Sequence, residues 1–284
     1  MSNAVDHPAP GYPAPCADNG PSVVGRLLAA MEALPAQPPV AMRVLWLCDD
    51  PTTNARSLSE SVELDPVLTA RVLRLANSAF YGVRAAVGNV PRAVTVIGFS
   101  TVRAVAATSL SGVGPAAPRG FWHHAAAVAG AAQLIAHLFG MPANDAFVAG
   151  LLHDLGIGLL DLAVPGAWDE LAAAGGGAAA ERAAFGIGHA DAAARVLTAW
   201  RLPSTLCEAV ARHTRPFTLS ESALTRTVLA AEVIAHLAGM DVRGCRCAAT
   251  PEDLALAGVD GERLERLVAR VEQESEALGD VLVG

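Results

Sequence analysis

Asp65-Pro66-Val67-Leu68-Thr69-Ala70-Arg71-Val72-Leu73-Arg74-Leu75-Ala76-Asn77-Ser78-Ala79-Phe80-Tyr81-Gly82 is the stretch from which the fold class follows. An Asp accepts hydrogen bonds from the free N–H groups of a first helical turn and Pro suits the first helical position, so Asp65-Pro66 closes one helix and opens the next. Leu68, Val72 and Leu75 recur at helical spacing as an inward stripe, leaving Arg71 and Arg74 for the rim. Asn77, Ser78 and Gly82 then break the chain. Upstream, Ser22 caps a helix to Leu34 that Pro35, Pro38 and Pro39 stop; Val40 to Cys48 forms a second, and Leu58, Val62 and Leu64 mark a short third. Downstream, short helices over Val90 to Ile97 and Thr101 to Leu110 precede longer ones at about 121–139, 142–154, 189–200, 203–213 and 221–239. With no βαβ alternation, repeat or glycine-rich phosphate loop, the expected fold class is all-α.

Ser111 to Pro118, mixing Gly with Pro, is the best interior boundary. It separates a short-helix N-terminal part, 22–112, from a helical bundle, 119–239. Residues 1–21 are rich in Pro and Ala without a basic start or an apolar core, so they are expected to be a disordered tail rather than a signal peptide. Gly175-Gly176-Gly177 reads as a surface loop inside an Ala-rich run. In the remainder, 240–284, a loop from Asp241 to Thr250 leads to an amphipathic helix from Glu262 to Leu278. Its stripe of Leu264, Leu267, Val268 and Val271 is expected to pack back on its own domain, with a homodimer contact as the alternative.

Composition limits the function classes. The chain has 284 residues, 52% of them hydrophobic and 17% charged, which argues against disorder over most of its length. Its apolar fraction leans on Ala, a good helix former and a poor strand former. Lys plus Arg number 20 against 28 Asp plus Glu, a net charge of −8, which excludes a general affinity for nucleic-acid backbone and disfavours anionic lipid. Five scattered cysteines, an odd number, need no disulfide framework and fit a reducing cytoplasm. Cys245-Arg246-Cys247 reads as a loop with two free thiols, since no second Cys or His pair lies nearby to complete a metal site. Ala125 to Met141 is too short for a ~20-residue membrane span and carries Gln133 and His137.

The residues with chemistry in them gather in the second half. His153-Asp154 ends the apolar run Phe147-Val148-Ala149-Gly150-Leu151-Leu152. Neighbouring helical residues point about 100° apart, so an imidazole and a carboxylate can flank one point, and a carboxylate can bridge two cations. His124 lies near the start of an earlier helix, His189 and His213 near the ends of later ones, and Glu232 within the helix after those. A bundle core can bring such groups together round a metal, and mixed imidazole and carboxylate donors suit Fe, Mn or Zn better than Ca. Plainer readings stand beside this. His123 competes with His124, a helix C-terminus alone favours a cation at His213, His189 with Asp191 can be a helix start, and Glu232 a rim charge. His7, His137 and His236 fit no pattern.

From Leu34 to about Thr214 the sequence resembles the HDOD family, the HD-related output domain of bacterial signalling proteins. The resemblance rests on Leu34-Pro35, Asp50-Pro51, the long run Asp65 to Gly82, Ile97-Gly98, Phe121-Trp122-His123-His124, Gly150-Leu151-Leu152-His153-Asp154-Leu155-Gly156 and Trp200-Arg201-Leu202-Pro203. It implies short N-terminal helices packed on an HD-like helical bundle. HD phosphohydrolases hold one or two metal ions, and carrying their ligands over gives His124, His153 and Asp154, with His189 and His213 for a second ion and Glu232 as the last acidic ligand. Two departures bear on activity. Catalytic relatives of the HD-GYP type follow their pair with Gly-Lys and carry a His-His, whereas Gly156 here precedes Ile157 and His213 precedes Thr214. Gly-Tyr-Pro occurs only at 11–13, in the tail.

Two functions follow as expectations. The first is a non-catalytic signal-transduction module acting through signalling proteins in trans or through a bound nucleotide. The alternative is a metal-dependent phosphohydrolase or phosphodiesterase acting on a nucleotide or cyclic dinucleotide. There Asp154 would bridge or orient the attacking water, and Arg212 and Arg215 would replace the absent lysine against phosphate.

Overall fold

A computed structural model describes residues 23–32, 39–114, 117–244 and 247–283. The expected tail at 1–21, the Ser22 cap, the Leu34-Pro35 and Pro38 stops, and Cys245-Arg246 lie outside the described residues. Among the described residues there is no strand, and the fold is all-α.

The N-terminal part comprises α1 (Val23–Glu32), α2 (Val40–Asp49), α3 (Ala55–Val62), α4 (Pro66–Ala76), a 3-10 turn (Ala79–Tyr81) and α5 (Val90–Ser111). Asp65 caps α4, its Oδ1 accepting from the N–H groups of Val67 at 2.9 Å and Leu68 at 3.1 Å. Leu68, Val72 and Leu75 are fully buried against α5. Leu64 departs from expectation: α3 stops at Val62, and Leu64 sits in the following turn, 62% exposed. The two short helices expected after Val90 are one run kinked at Gly98, whose φ of 78° is open to glycine and strained for other residues.

Asn77 locks the break after α4. Its amide donates to Leu73 O at 2.8 Å and Val87 O at 2.9 Å, and its Oδ1 accepts from Val87 N–H at 2.7 Å. Phe80 and Tyr81 then reach the bundle, their ring centroids 5.4 and 6.5 Å from that of Phe147.

The bundle continues with α6 (Phe121–Ile135), a 3-10 turn (Ala136–Phe139), α7 (Ala143–Leu152), α8 (Leu155–Ala163), α9 (Ala167–Ala173), α10 (Ala178–Phe185), α11 (His189–Ala199), α12 (Ser204–Arg212) and α13 (Ala223–Leu237). The helix expected over 142–154 stops at Leu152, and a new one begins at Leu155, so His153-Asp154 is a corner rather than a helix end. The short helices α9 and α10 flank the Gly175-Gly176-Gly177 loop, and a Cβ on Gly176 would lie 2.4 Å from Gly244 O, so the loop is pinned to the chain beyond α13.

After α14 (Pro251–Leu256), α15 (Gly261–Val283) lies along α6 and also touches α13 and α4. Val271 and Leu278 are buried there, and a Cβ on Gly279 would come within 2.6 Å of the His123 ring. Val90–Ser111 is long and apolar enough to cross a membrane, as is the α7–α8 run Ala143–Ala163, but 61% and 83% of their most apolar windows are buried in the core.

Candidate metal centre

Five of the six expected donors stand at helix ends, where side chains converge without having to share one helical face. His124 is in the first turn of α6, and His153 and Asp154 form the α7–α8 corner. His189 opens α11 and His213 follows the last residue of α12; only Glu232 lies within a helix, α13. All six are buried, with side chains at most 4% exposed.

Two glycines around the corner bring the elements together. A Cβ at Gly150 would lie 2.7 Å from Val128 O, so α7 packs directly on the α6 backbone. A Cβ at Gly156 would lie 1.9 Å from His189 O, so α8 packs on the opening of α11. The glycines of the Gly150 to Gly156 motif thus set the approach of His153 to His124 and of Asp154 to His189.

Each imidazole is oriented through Nδ1. His124 donates to Met240 O at 2.6 Å, His153 to Gly150 O at 2.7 Å and His213 to Val210 O at 2.7 Å. A carbonyl only accepts, so these Nδ1 atoms carry hydrogen and Nε2 is left as the inward donor atom. His189 is fixed by Glu181, whose Oε2 lies 2.7 Å from Nδ1 and 2.8 Å from the His189 backbone nitrogen.

The Nε2 atoms meet in pairs over the two oxygens of Asp154. His124 and His153 approach within 3.2 Å, 3.4 and 3.3 Å from Oδ2. His189 and His213 approach within 3.1 Å, 3.3 and 3.1 Å from Oδ1. Two facing nitrogen lone pairs repel unless a proton or a metal cation lies between them. The separations also match two imidazoles on one ion, since M–N bonds of about 2.0–2.1 Å put adjacent ligands about 3 Å apart. Glu232 Oε1, 3.6 Å from His153 Nε2 and 3.9 Å from His213 Nε2, is buried without a hydrogen-bond partner. The donors therefore fall into three overlapping groups, His124-His153-Asp154, Asp154-His189-His213 and His153-His213-Glu232, each of which could hold a metal ion.

Electrostatics agree with a centre built for cations. Burial works against the Asp154 carboxylate, but His153, with the hydrogen bonds of His124 and His189, holds it well below the usual carboxylate range. Burial likewise opposes charge on His189, yet Asp154 and Glu181 hold its pKa up at about 10. His124 is raised as well, burial being outweighed by Asp154 and the Met240 carbonyl.

Sequence reasoning missed Glu181, which looks like an ordinary helix charge eight residues before His189. The two arginines considered for phosphate lie outside the cluster. Arg212 is held by Glu221 through two hydrogen bonds of 2.6 Å, and Arg215 is exposed. Of the Cys245-Arg246-Cys247 loop, only Cys247 is described; it is a partly buried free thiol beside Glu232, and burial pushes its pKa up to about 12.

A sequence model of the HDOD domain matches residues 34–216. Comparison with curated proteins found no match. Among solved structures, the chain is similar to a Shewanella amazonensis SB2B protein provisionally described as a phosphohydrolase. That pair shares 24% identity over 90% of this chain and 97% of the other, with a TM-score of 0.67. An HDOD domain protein with unknown function from Geobacter sulfurreducens matches at 21% identity over 92% and 96% of the two chains, with a TM-score of 0.65. A Marinobacter aquaeolei VT8 protein provisionally described as a signal transduction protein gives a TM-score of 0.71 at 23% identity, over 91% of this chain and 61% of that one. These likenesses establish the fold.

Proposed function

The chain belongs to the HDOD domain family, and from that premise we propose that it is a non-catalytic signal-transduction module organised round a buried divalent-cation centre. It works in the cytoplasm and passes its state to signalling proteins in trans. The observation that carries this reading is the burial of the centre: among the described residues no donor side chain is more than 4% exposed, which leaves Asp154 little surface for a phosphorylated substrate. A catalytic metal keeps an open position for water and substrate, whereas a structural one is closed by the protein. Ile157, where catalytic relatives carry lysine, is fully buried, and Arg212 is engaged by Glu221. His124, His153, Asp154, His189, His213 and Glu232 would hold Fe, Mn or Zn. Bound there, a divalent cation supplies folding free energy and couples six elements of the bundle to metal supply.

A second reading, a metal-dependent phosphohydrolase, is favoured by the pairing of two donor sets on one carboxylate, an arrangement that suits water activation between two ions. Elemental analysis of wild type beside Asp154→Ala, with a nucleotide and cyclic-dinucleotide hydrolysis panel on the same samples, separates the two. The signalling reading expects bound Fe, Mn or Zn that is lost in Asp154→Ala, and no enzyme-like turnover. Turnover abolished by His153→Ala would overturn it.

A further inference from the structure

The chain that leaves α13 touches each of the three donor groups before it reaches the C-terminal helices. Met240 O accepts from His124 Nδ1 at 2.6 Å. Arg243 O accepts from Trp168 Nε1 at 2.9 Å, and the Trp168 ring stands perpendicular to that of His189, with 5.8 Å between centroids. Cys247 lies beside Glu232. These approaches are close: a Cβ on Gly120, just before α6, would lie 3.0 Å from Asp241 O, and one on Gly244 would lie 2.9 Å from Ala172 Cα. Val242, between them, is buried.

From there α14 leads to α15, which lies beyond the residues 34–216 that match the HDOD domain and covers α6. His123 and His124 are neighbours in the first turn of α6 and face different ways. His124 meets Asp154, whereas His123 meets α15, its Nε2 3.2 Å from Asp280 Oδ1. A Cβ on Gly279 would lie 3.0 Å from His123 Cα, so glycine lets α15 come this near. Yet α15 is lightly held. Over its 23 residues the buried apolar side chains among the described residues are Val271, Leu278 and Leu282. Its side-chain hydrogen bonds to α4, α6 and the turn after α6 are the exposed ones with Arg74, His123 and His137. Elements with few buried apolar contacts open at lower free energy than the rest of a fold.

Resting on the reading of the centre as a divalent-cation site, we propose that α15 is its output element: a filled centre locks α15 on α6, and an empty one releases it. With the centre empty, His124 Nε2 faces His153 Nε2 at 3.2 Å and their lone pairs repel. A turn of the His124 ring away from His153 strains its bond to Met240 O and moves the first turn of α6, which carries His123. Both shifts reach α15, one through the chain from Met240 to α14, the other through Gly279 and Asp280. What the module passes on is then the cover over α6. Release bares Ala126, Ala127 and Gly130, which share a small cavity with Val271, Ser275 and Leu278.

Amide hydrogen exchange of the full chain, chelator-treated or loaded with zinc or manganese(II), reads the opening of α15. Exchange over 261–283 is expected to slow at least about fivefold on loading, the lower end of ordinary coupling between sites, while α3, packed chiefly on α2 and α5, stays unchanged. Coupling is reciprocal, so Leu278→Ala, a substitution outside the donor set that loosens α15, should weaken cation affinity about fivefold or more in a competition titration. Should Leu278→Ala fail to fold, the wild-type comparison decides alone. Bound metal with unchanged exchange in α15, equal slowing of α15 and α3, or wild-type affinity in folded Leu278→Ala overturns the proposal and leaves the cation centre standing. A chain that binds no divalent cation overturns both.

Discussion

Glu181 holds His189 twice with one oxygen, accepting the backbone N–H at 2.8 Å and Nδ1–H at 2.7 Å. Both bonds fix the ring so that Nε2 faces Asp154 and His213. Glu181→Gln keeps the size and removes the charge that makes His189 a better donor. We expect divalent-cation affinity to fall about 10–100-fold, the usual effect of removing a partner behind a metal-binding histidine. Competition titration against a chelating dye measures it, with circular dichroism confirming the fold. Unchanged affinity would mean that Glu181 does not orient the ligand.

The chelator-treated protein should lose stability on the alkaline side. His189 carries a pKa raised from 6.5 to about 10, Asp154 and Glu181 outweighing burial. A raised folded-state pKa contributes stability that is complete below the unfolded value of 6.5 and is lost as pH rises through about 10. The thermal stability of the chelated protein should therefore decline across that window, and His189→Gln should flatten the decline. Metal affinity should run the other way, rising with pH, because a cation must displace the proton. A flat metal-free profile that matches His189→Gln would contradict this.

The donors were legible in the sequence because their chemistry resides in residue type: His153-Asp154 and the spaced His124, His189 and His213 are the residues that meet. What was not legible depends on contacts distant along the chain. Glu181 gains its role only because the turn after α10 returns it to the start of α11. The corner at His153-Asp154 was hidden because apolar residues continue through Leu159 and Leu160, with no Pro to mark the break. At Leu64 the apolar spacing outlasted the helix. Its exposure follows from the turn that lets Asp65 cap α4, a local hydrogen-bond preference that outranked periodicity.

That cap and the stripe beneath it should respond unequally. Asp65→Ala removes an acceptor from two backbone donors, and is expected to cost about 1 kcal/mol. Leu68→Ala empties a fully buried position against α5, and is expected to cost roughly 2–5 kcal/mol. Urea denaturation at neutral pH measures both. A Leu68→Ala cost no larger than that of Asp65→Ala would mean that α4 is held by local capping more than by its packing on α5.

Gly156→Ala should do more damage than either. The added Cβ would stand 1.9 Å from His189 O, 2.6 Å from its carbonyl carbon and 2.9 Å from its Cα. All three are backbone atoms, so no side-chain rotation relieves the overlap and α8 must move away from α11. The shift separates Asp154 from His189, so stability and metal binding should fall together, stability by about 3 kcal/mol or more. Gly88→Ala is the control, since a Cβ there meets nothing within 4 Å. Chemical denaturation and metal titration of both variants decide the matter. If Gly156→Ala keeps wild-type stability and metal affinity, the close approach of the two backbones is not what sets Asp154 beside His189.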